Sequence, residues 1–169
     1  FPYHAVIDSG ASTHIMQVPS DHYGQYDGRG SHIEVAKQGQ SLLSVGSGTL
    51  PILVPGGDGS PLHLDLSGTL HAPSVRKNLF SVAAALDMGY TAVFLKDKVL
   101  FTSVANVGEI KFVGRRLGQM WVLDFALKHD GRVPAALVAN GMPNRAVLRM
   151  HEKYGHPNLA ELKRMSMAG

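Results

Sequence analysis

From Phe1 to about Phe125 the sequence never holds a helical periodicity long enough to build a long helix. Short apolar stretches ("HAVI", "HIEVA", "SLLSV", "TLPILV", "LHLDLSGTL", "TAVFL", "KVLF", "EIKFV" and "MWVLDF") alternate with turn-forming residues. Short apolar runs bounded by Gly, Pro, Asn and Asp read as strands. "PGGDGSP", from Pro55 to Pro61, is the clearest hairpin loop, with "ILV" before it and "LHLDL" after. In the second arm Leu62, Leu64 and Leu66 alternate with His63, Asp65 and Ser67, the period of a half-buried strand. The 19 glycines and 9 prolines are scattered through the chain rather than repeated, which favours many turns over low-complexity disorder. A mostly β fold is the expectation.

One helix interrupts this texture. "NLFSVAAALDMGY" places Leu79, Val82, Ala83 and Leu86 on one side, with Gly89 as the C-cap. Residues 126–144 have the mixed Gly, Pro and polar character of a linker, and residues 145–169 turn helical again around "GHP", with Asn158 as an N-cap. The predicted organisation is a β domain over 1–125, a linker over 126–144, and the opening of a further helical segment over 145–169. The chain starts with Phe and stops in "MSMAG", which reads as a piece of something longer.

A length of 169 residues fits one domain with an appendage, and 44% apolar content suffices for a core. There is no cysteine, so disulfides and thiol chemistry are excluded. The net charge of +3 is mild and concentrated late, in Arg115, Arg116, Arg145, Arg149, Lys153, Lys163 and Arg164. Such a bias permits nucleic-acid contact but equally describes solvated helix faces. No apolar run approaches the roughly 20 residues needed to span a membrane, and no signal peptide is visible.

The chemistry concentrates in "HAVIDSGASTHI". Asp8 follows the apolar run Ala5-Val6-Ile7, and Ser9-Gly10-Ala11 forms a turn. A carboxylate at the inner end of a buried strand costs free energy unless it has a partner or a task. Aspartic proteases place two such carboxylates a few Å apart, sharing one proton and orienting a water between them. A hydroxyl residue after the aspartate locks the loop, and a glycine lets backbone approach the carboxylate oxygens. The plain alternative is an Asx turn with no catalytic role. A phosphate-cradling Asp-x-Gly-[Thr/Ser] loop of sugar-kinase type is a weaker rival, since a second phosphate loop is missing. No second Asp-[Ser/Thr]-Gly is present: "DGS" at Asp58 and "DLSG" at Asp65 have the wrong order or spacing. A catalytic Asp8 therefore needs Asp8 of a second copy across a two-fold axis.

Taken together, these segments resemble the protease region of copia-type LTR-retrotransposon Gag-Pol polyproteins, relatives of the retroviral aspartic proteases. "VIDSGASTHI" resembles the active-site loop, including a His at the position of His14. "EVAKQGQSLLSVGSGTLPILV" resembles the glycine-centred hairpin and the strand after it. "LSGTLHAPSVRKNLFSVAAALDMGY" and "MHEKYGHPNLAELKRM" resemble, in order, the family's late protease stretch and the start of its pre-integrase segment. The resemblance implies a retropepsin-like acid protease barrel with one short helix and a short helical C-terminal tail. Strands from Thr91 to Phe125 would lie beyond the minimal retroviral core. It implies Asp8 as the catalytic residue, with Ser9, Gly10 and Ala11 as its loop and Ser9 clasping the opposite loop of the dimer. "NLFSV" would pack beneath the site. The flap over the substrate would be the hairpin tip Lys37, Gln38, Gly39 and Gln40, with Gly46-Ser47-Gly48 as the competing candidate.

The expected activity is aspartic endopeptidase cleavage of the chain's own polyprotein by a homodimer, peaking on the acidic side and using no cofactor. Its partners would be a second copy and a polypeptide substrate, without a membrane, and with nucleic acid met only through the downstream integrase region. The resemblance places it in cytoplasmic virus-like particles. His151 and His156 match half of the family's zinc site, whose two cysteines are missing here. Tetrahedral zinc needs four ligands, so no complete metal site is expected. The alternatives are a catalytically inactive protease-fold module, serving dimerisation or peptide binding, and a nucleic-acid-binding fragment acting through the basic tail.

Overall fold

The computed structural model describes residues 1–34, 41–106 and 108–128. Of the linker expected over 126–144, Ala126 and Leu127 are instead buried strand residues paired with Leu53 and Ile52. Its part beyond Lys128, the helical tail, the flap tip Lys37–Gln40 and the pair His151 and His156 lie outside the described residues.

Twelve strands form among them: β1 (Tyr3–Asp8), β2 (Ile15–Met16), β3 (Gly24–Asp27), β4 (Ser31–Glu34), β5 (Ser41–Ser44), β6 (Gly46–Pro55), β7 (Pro61–His71), β8 (Asn78–Ser81), β9 (Tyr90–Phe94), β10 (Lys98–Ser103), β11 (Ile110–Leu117) and β12 (Met120–Leu127), with helix α1 (Val82–Asp87) between β8 and β9. Six of these close on themselves in the order β6-β7-β2-β8-β1-β12, with β12 pairing back onto β6. The ring is mixed. β2 runs parallel to β7 and β8 parallel to β1, while the other four pairings are antiparallel. The mostly β expectation holds in the form of a six-strand mixed barrel with one short helix. Strands β11, β10 and β9 continue the sheet outward from β12, and β3 flanks β6.

Every apolar stretch read as a strand contributes one. In β7 the alternation places Leu64 and Leu66 inside and His63 and Asp65 outside. The hairpin joining β6 to β7 docks onto the extension, with the Gly57 N–H donating to Lys111 O and Gly56 bridging Phe112.

Three features differ from expectation. The segment "NLFS" is strand rather than helix: β8 pairs with β1 in parallel register from Ala5↔Asn78 to Asp8↔Ser81. Helix α1 begins only at Val82, with Ser81 as N-cap accepting the Ala84 N–H. Ala85 is its buried residue and Val82 packs against the core, but Ala83 is exposed and Leu86 is 48% exposed, so the predicted face does not pack along its length. Gly89 does close the helix, at φ +85°. Second, β12 is no addition to the barrel. It bridges β1 and β6, and of the strands from Thr91 onward only β9–β11 lie outside the ring. Third, Gly46-Ser47-Gly48 sits inside β6, paired to β7 on one side and reaching β3 on the other, so it cannot be a hairpin tip.

One apolar core runs through barrel and extension. Phe101 and Phe112 stack at 4.3 Å, and Phe80 meets both rings edge-on at 5.5 and 6.1 Å. Phe80 comes from the barrel, and the other two from β10 and β11. The Asp124 carboxylate, buried on β12, is held by Arg115 of β11 through two hydrogen bonds of 2.5 and 3.0 Å. Truncating Phe112 to Ala removes the ring shared by both halves. The expected loss is about 3–5 kcal/mol in urea denaturation, as a single transition, because the core is continuous.

Candidate functional site

Asp8 is the last residue of β1, half-buried, and paired through the backbone with Ser81 at the end of β8. The chain then turns at once. The Gly10 N–H donates to Asp8 Oδ1 at 2.8 Å, an Asx turn. A Cβ at Gly10 would stand 3.3 Å from that same oxygen. A side chain here would crowd the carboxylate, which would have to give by a few tenths of an ångström. Ser9 is exposed and Ala11 half-buried.

The turn is tied down from below. Ser81 Oγ donates to Ala11 O at 2.6 Å while accepting the Ala84 N–H at 3.0 Å, so one hydroxyl holds both the Asp8 loop and the first turn of α1. The Ser81 N–H donates to His14 Nδ1 at 3.1 Å. Asn78 stitches the neighbouring strands, accepting the Gln17 N–H at 2.9 Å and donating to His4 O at 3.2 Å. "NLFSV" therefore does run beneath the loop, as a strand that leads into the helix. Ser81 and Asn78 were not singled out from the sequence. The signal for Ser81 was present, a serine directly before a helix-forming "VAAALD".

An Asx turn alone would satisfy a structural Asp8. What it does not explain is the cleft of about 530 Å³ onto which the residue opens. Asp8, Gly10, Ala11, Ser12 and Thr13 form one side, and Ile15, Leu70 and Leu79 an apolar wall. The hairpin arms β4 and β5 supply His32, Ile33, Glu34 and Leu42. Ile33 and Leu42 are register partners and pack with Ile15, Leu70 and Leu79 against the same small apolar cluster. The arms of the hairpin whose tip is the expected flap thus border the cleft that holds Asp8. A second groove of about 470 Å³, lined by Asp21, His22, Tyr23, Gln25, Asp65 and Lys128 among others, contains none of the candidate site residues.

His14 is fully buried, its ring against Phe80 at 4.6 Å. Burial lowers its pKa from 6.5 to about 4. Burial also lowers that of His71, whose Nδ1 lies 2.9 Å from the Tyr26 hydroxyl. Among the described residues no group of three or more His, Cys, Asp or Glu side chains could hold a metal ion. No helix among them is long and apolar enough to cross a membrane.

The depressed pKa of His14 has a stability consequence. Unfolded, the imidazole takes up its proton as pH falls through 6.5; folded, it resists until about 4. Between these values the unfolded state binds more protons, so stability present above pH 6.5 is lost on acidification. The loss is on the order of 3 kcal/mol by pH 4. Urea denaturation across that window should show the decline, and a His14→Leu variant should flatten it.

Comparison with known proteins agrees with the β-barrel fold. Residues 5–90, from β1 through α1 to the start of β9, match the model of the Pol polyprotein β-barrel domain. No curated protein and no solved structure matches the chain. The match takes in the Asp8 loop, the cleft-bordering hairpin and the Ser81 latch, and the chain belongs to the family of Pol polyprotein β-barrel domains.

Proposed function

We propose that the chain is the aspartic endopeptidase of a copia-type retrotransposon Gag-Pol polyprotein, active as a homodimer that cuts the polyprotein in which it is embedded. The observation that carries the reading is the placement of Asp8. It is a half-buried carboxylate at the end of a barrel strand, one oxygen held by the Gly10 amide, opening onto a cleft that a β-hairpin borders.

Each chain contributes one carboxylate, so the reacting group is a pair made by two copies. Two carboxyl groups a few Å apart do not both ionise, and they hold one proton between them. The ionised member takes a proton from the water as its oxygen attacks the scissile carbonyl carbon. The protonated member donates to the carbonyl oxygen, giving a tetrahedral diol. Collapse of the diol, with proton transfer to the amide nitrogen, breaks the C–N bond. In this reading the Gly10 N–H fixes the orientation of the Asp8 carboxylate, the exposed Ser9 hydroxyl meets the partner's loop, and the apolar wall Ile15, Leu70 and Leu79 receives substrate side chains. An extended peptide would be covered by the β4–β5 hairpin, with Lys37–Gln40 as its tip. The linker expected over 126–144, whose first residues Ala126 and Leu127 belong to β12, would then lead to a pre-integrase segment. There His151 and His156 supply half of a zinc site, with no zinc held unless two cysteines absent from this sequence join them.

The test is cleavage of a denatured protein near pH 5 by the full chain. Activity should rise faster than linearly with protein concentration in the range where dimers form. It should be suppressed by the transition-state analogue pepstatin, and fall by about 10⁴-fold or more in Asp8→Asn. Equal rates for Asp8→Asn and wild type would rule the reading out, as would a wild type that stays inert while demonstrably dimeric.

A further inference from the structure

His14 contacts neither the cleft nor solvent, yet it occupies a point where the backbone needs an acceptor. Strand β2 meets β8 only at Ile15↔Leu79, so Ser81, two residues further along, lies past the end of that ladder. Its N–H is taken instead by His14 Nδ1. Because Nδ1 accepts, the neutral ring carries its hydrogen on Nε2. That atom is buried without a hydrogen-bond partner among the described residues. A buried N–H left unpaired is costly, and an apolar side chain would fill the space against Phe80 without that cost. The imidazole therefore gives the fold something that volume alone would not, namely the acceptor at Nδ1.

We propose that His14 is a positioning residue for Asp8. By fixing the Ser81 amide, it holds the Ser81 hydroxyl where that group binds Ala11 O, and so sets the turn that orients the carboxylate. The chain of contacts is short and contiguous: His14 Nδ1, Ser81 N–H, Ser81 Oγ, Ala11 O, then the Gly10 amide on Asp8 Oδ1. Its effect on catalysis rests on the protease reading of Asp8; its effect on the geometry of the turn does not.

Two substitutions of similar polarity separate positioning from packing. In His14→Asn the side-chain oxygen falls near the place of Nδ1, whereas in His14→Gln it falls nearer that of Nε2. Both are compared with wild type in the full chain by peptide cleavage and by the backbone amide resonances of Gly10 and Ser81. His14→Gln should lose roughly 100-fold in kcat with KM changed by no more than about twofold, and should displace both resonances. His14→Asn should recover most of the rate and keep both resonances near their wild-type positions. If His14→Gln does not fold, Ser81→Ala, which removes the hydroxyl clasp and leaves the amide, should show the same loss and the same Gly10 displacement. Identical behaviour of Asn and Gln, or an unmoved Gly10 resonance in a folded Gln or Ser81→Ala variant, would overturn the proposal. An inactive wild type would instead sink the protease reading, and the resonances would still decide whether His14 positions the turn.

Discussion

The arrangement of this barrel around Asp8 depends on a single hydroxyl. Ser81 Oγ gives its hydrogen to Ala11 O and takes that of the Ala84 amide, at the point where β8 ends and α1 begins. A helix cap is worth about 1 kcal/mol, and a buried hydrogen bond about the same. Neither figure is large against the stability of a domain. Their importance is geometric, because both bonds share one atom. The end of the parallel β1–β8 pair, the start of the helix and the turn after Asp8 cannot move independently while that atom is engaged. His14 holds the same residue by its amide, so Ser81 is restrained from both its backbone and its side chain.

The barrel supplies the rigid surroundings for this latch. Closure through β12 onto β6 removes the free edges beside β1, and the shared ring cluster of Phe80, Phe101 and Phe112 ties the extension to the same core. The strand that completes the ring lies at 120–127, outside the 5–90 stretch that matches the family model. The matched part contains the loop, hairpin and helix of the candidate site; the later strands hold β1 in place from its other side. In the proposed mechanism this division has a further meaning. The chain makes a stiff half-site with one carboxylate, and its catalytic completion comes from a second copy rather than from a second motif.

Much of this could be read in the residues, and the misses have identifiable causes. Strands with clean alternation, such as "LHLDL", or with β-branched and aromatic runs, such as "KVLF", show their period directly. "NLFSVAAAL" is ambiguous, because Leu79, Val82, Ala83 and Leu86 satisfy a helical spacing while "NLF" is equally at home in a strand. What decided it was pairing with β1, a tertiary contact that a local pattern does not carry, and as a result Leu86 faces outward. Strands β2 and β3 are too short, and "GQYD" too polar, to register as periodic. Asp8 was legible because a carboxylate after "AVI" is anomalous, and Gly10 because a loop of that kind needs a close backbone approach. Ser81 was hidden by the misplaced start of the helix. His14 was legible only through family resemblance, since a lone histidine before two apolar residues has no distinctive spacing. The cleft itself joins Asp8 to hairpin arms more than twenty residues later, and no local pattern predicts that meeting.

The central claim is that chemistry requires two copies of Asp8 in one site. Mixing wild type with Asp8→Asn at a fixed total concentration, after subunits have exchanged, tests it directly. If the site is shared, equal parts of the two should leave about one quarter of the activity of the same total of wild type, because only that fraction of dimers carries two aspartates. A residual activity near one half, tracking the wild-type fraction linearly, would show that each chain acts alone and would contradict the account.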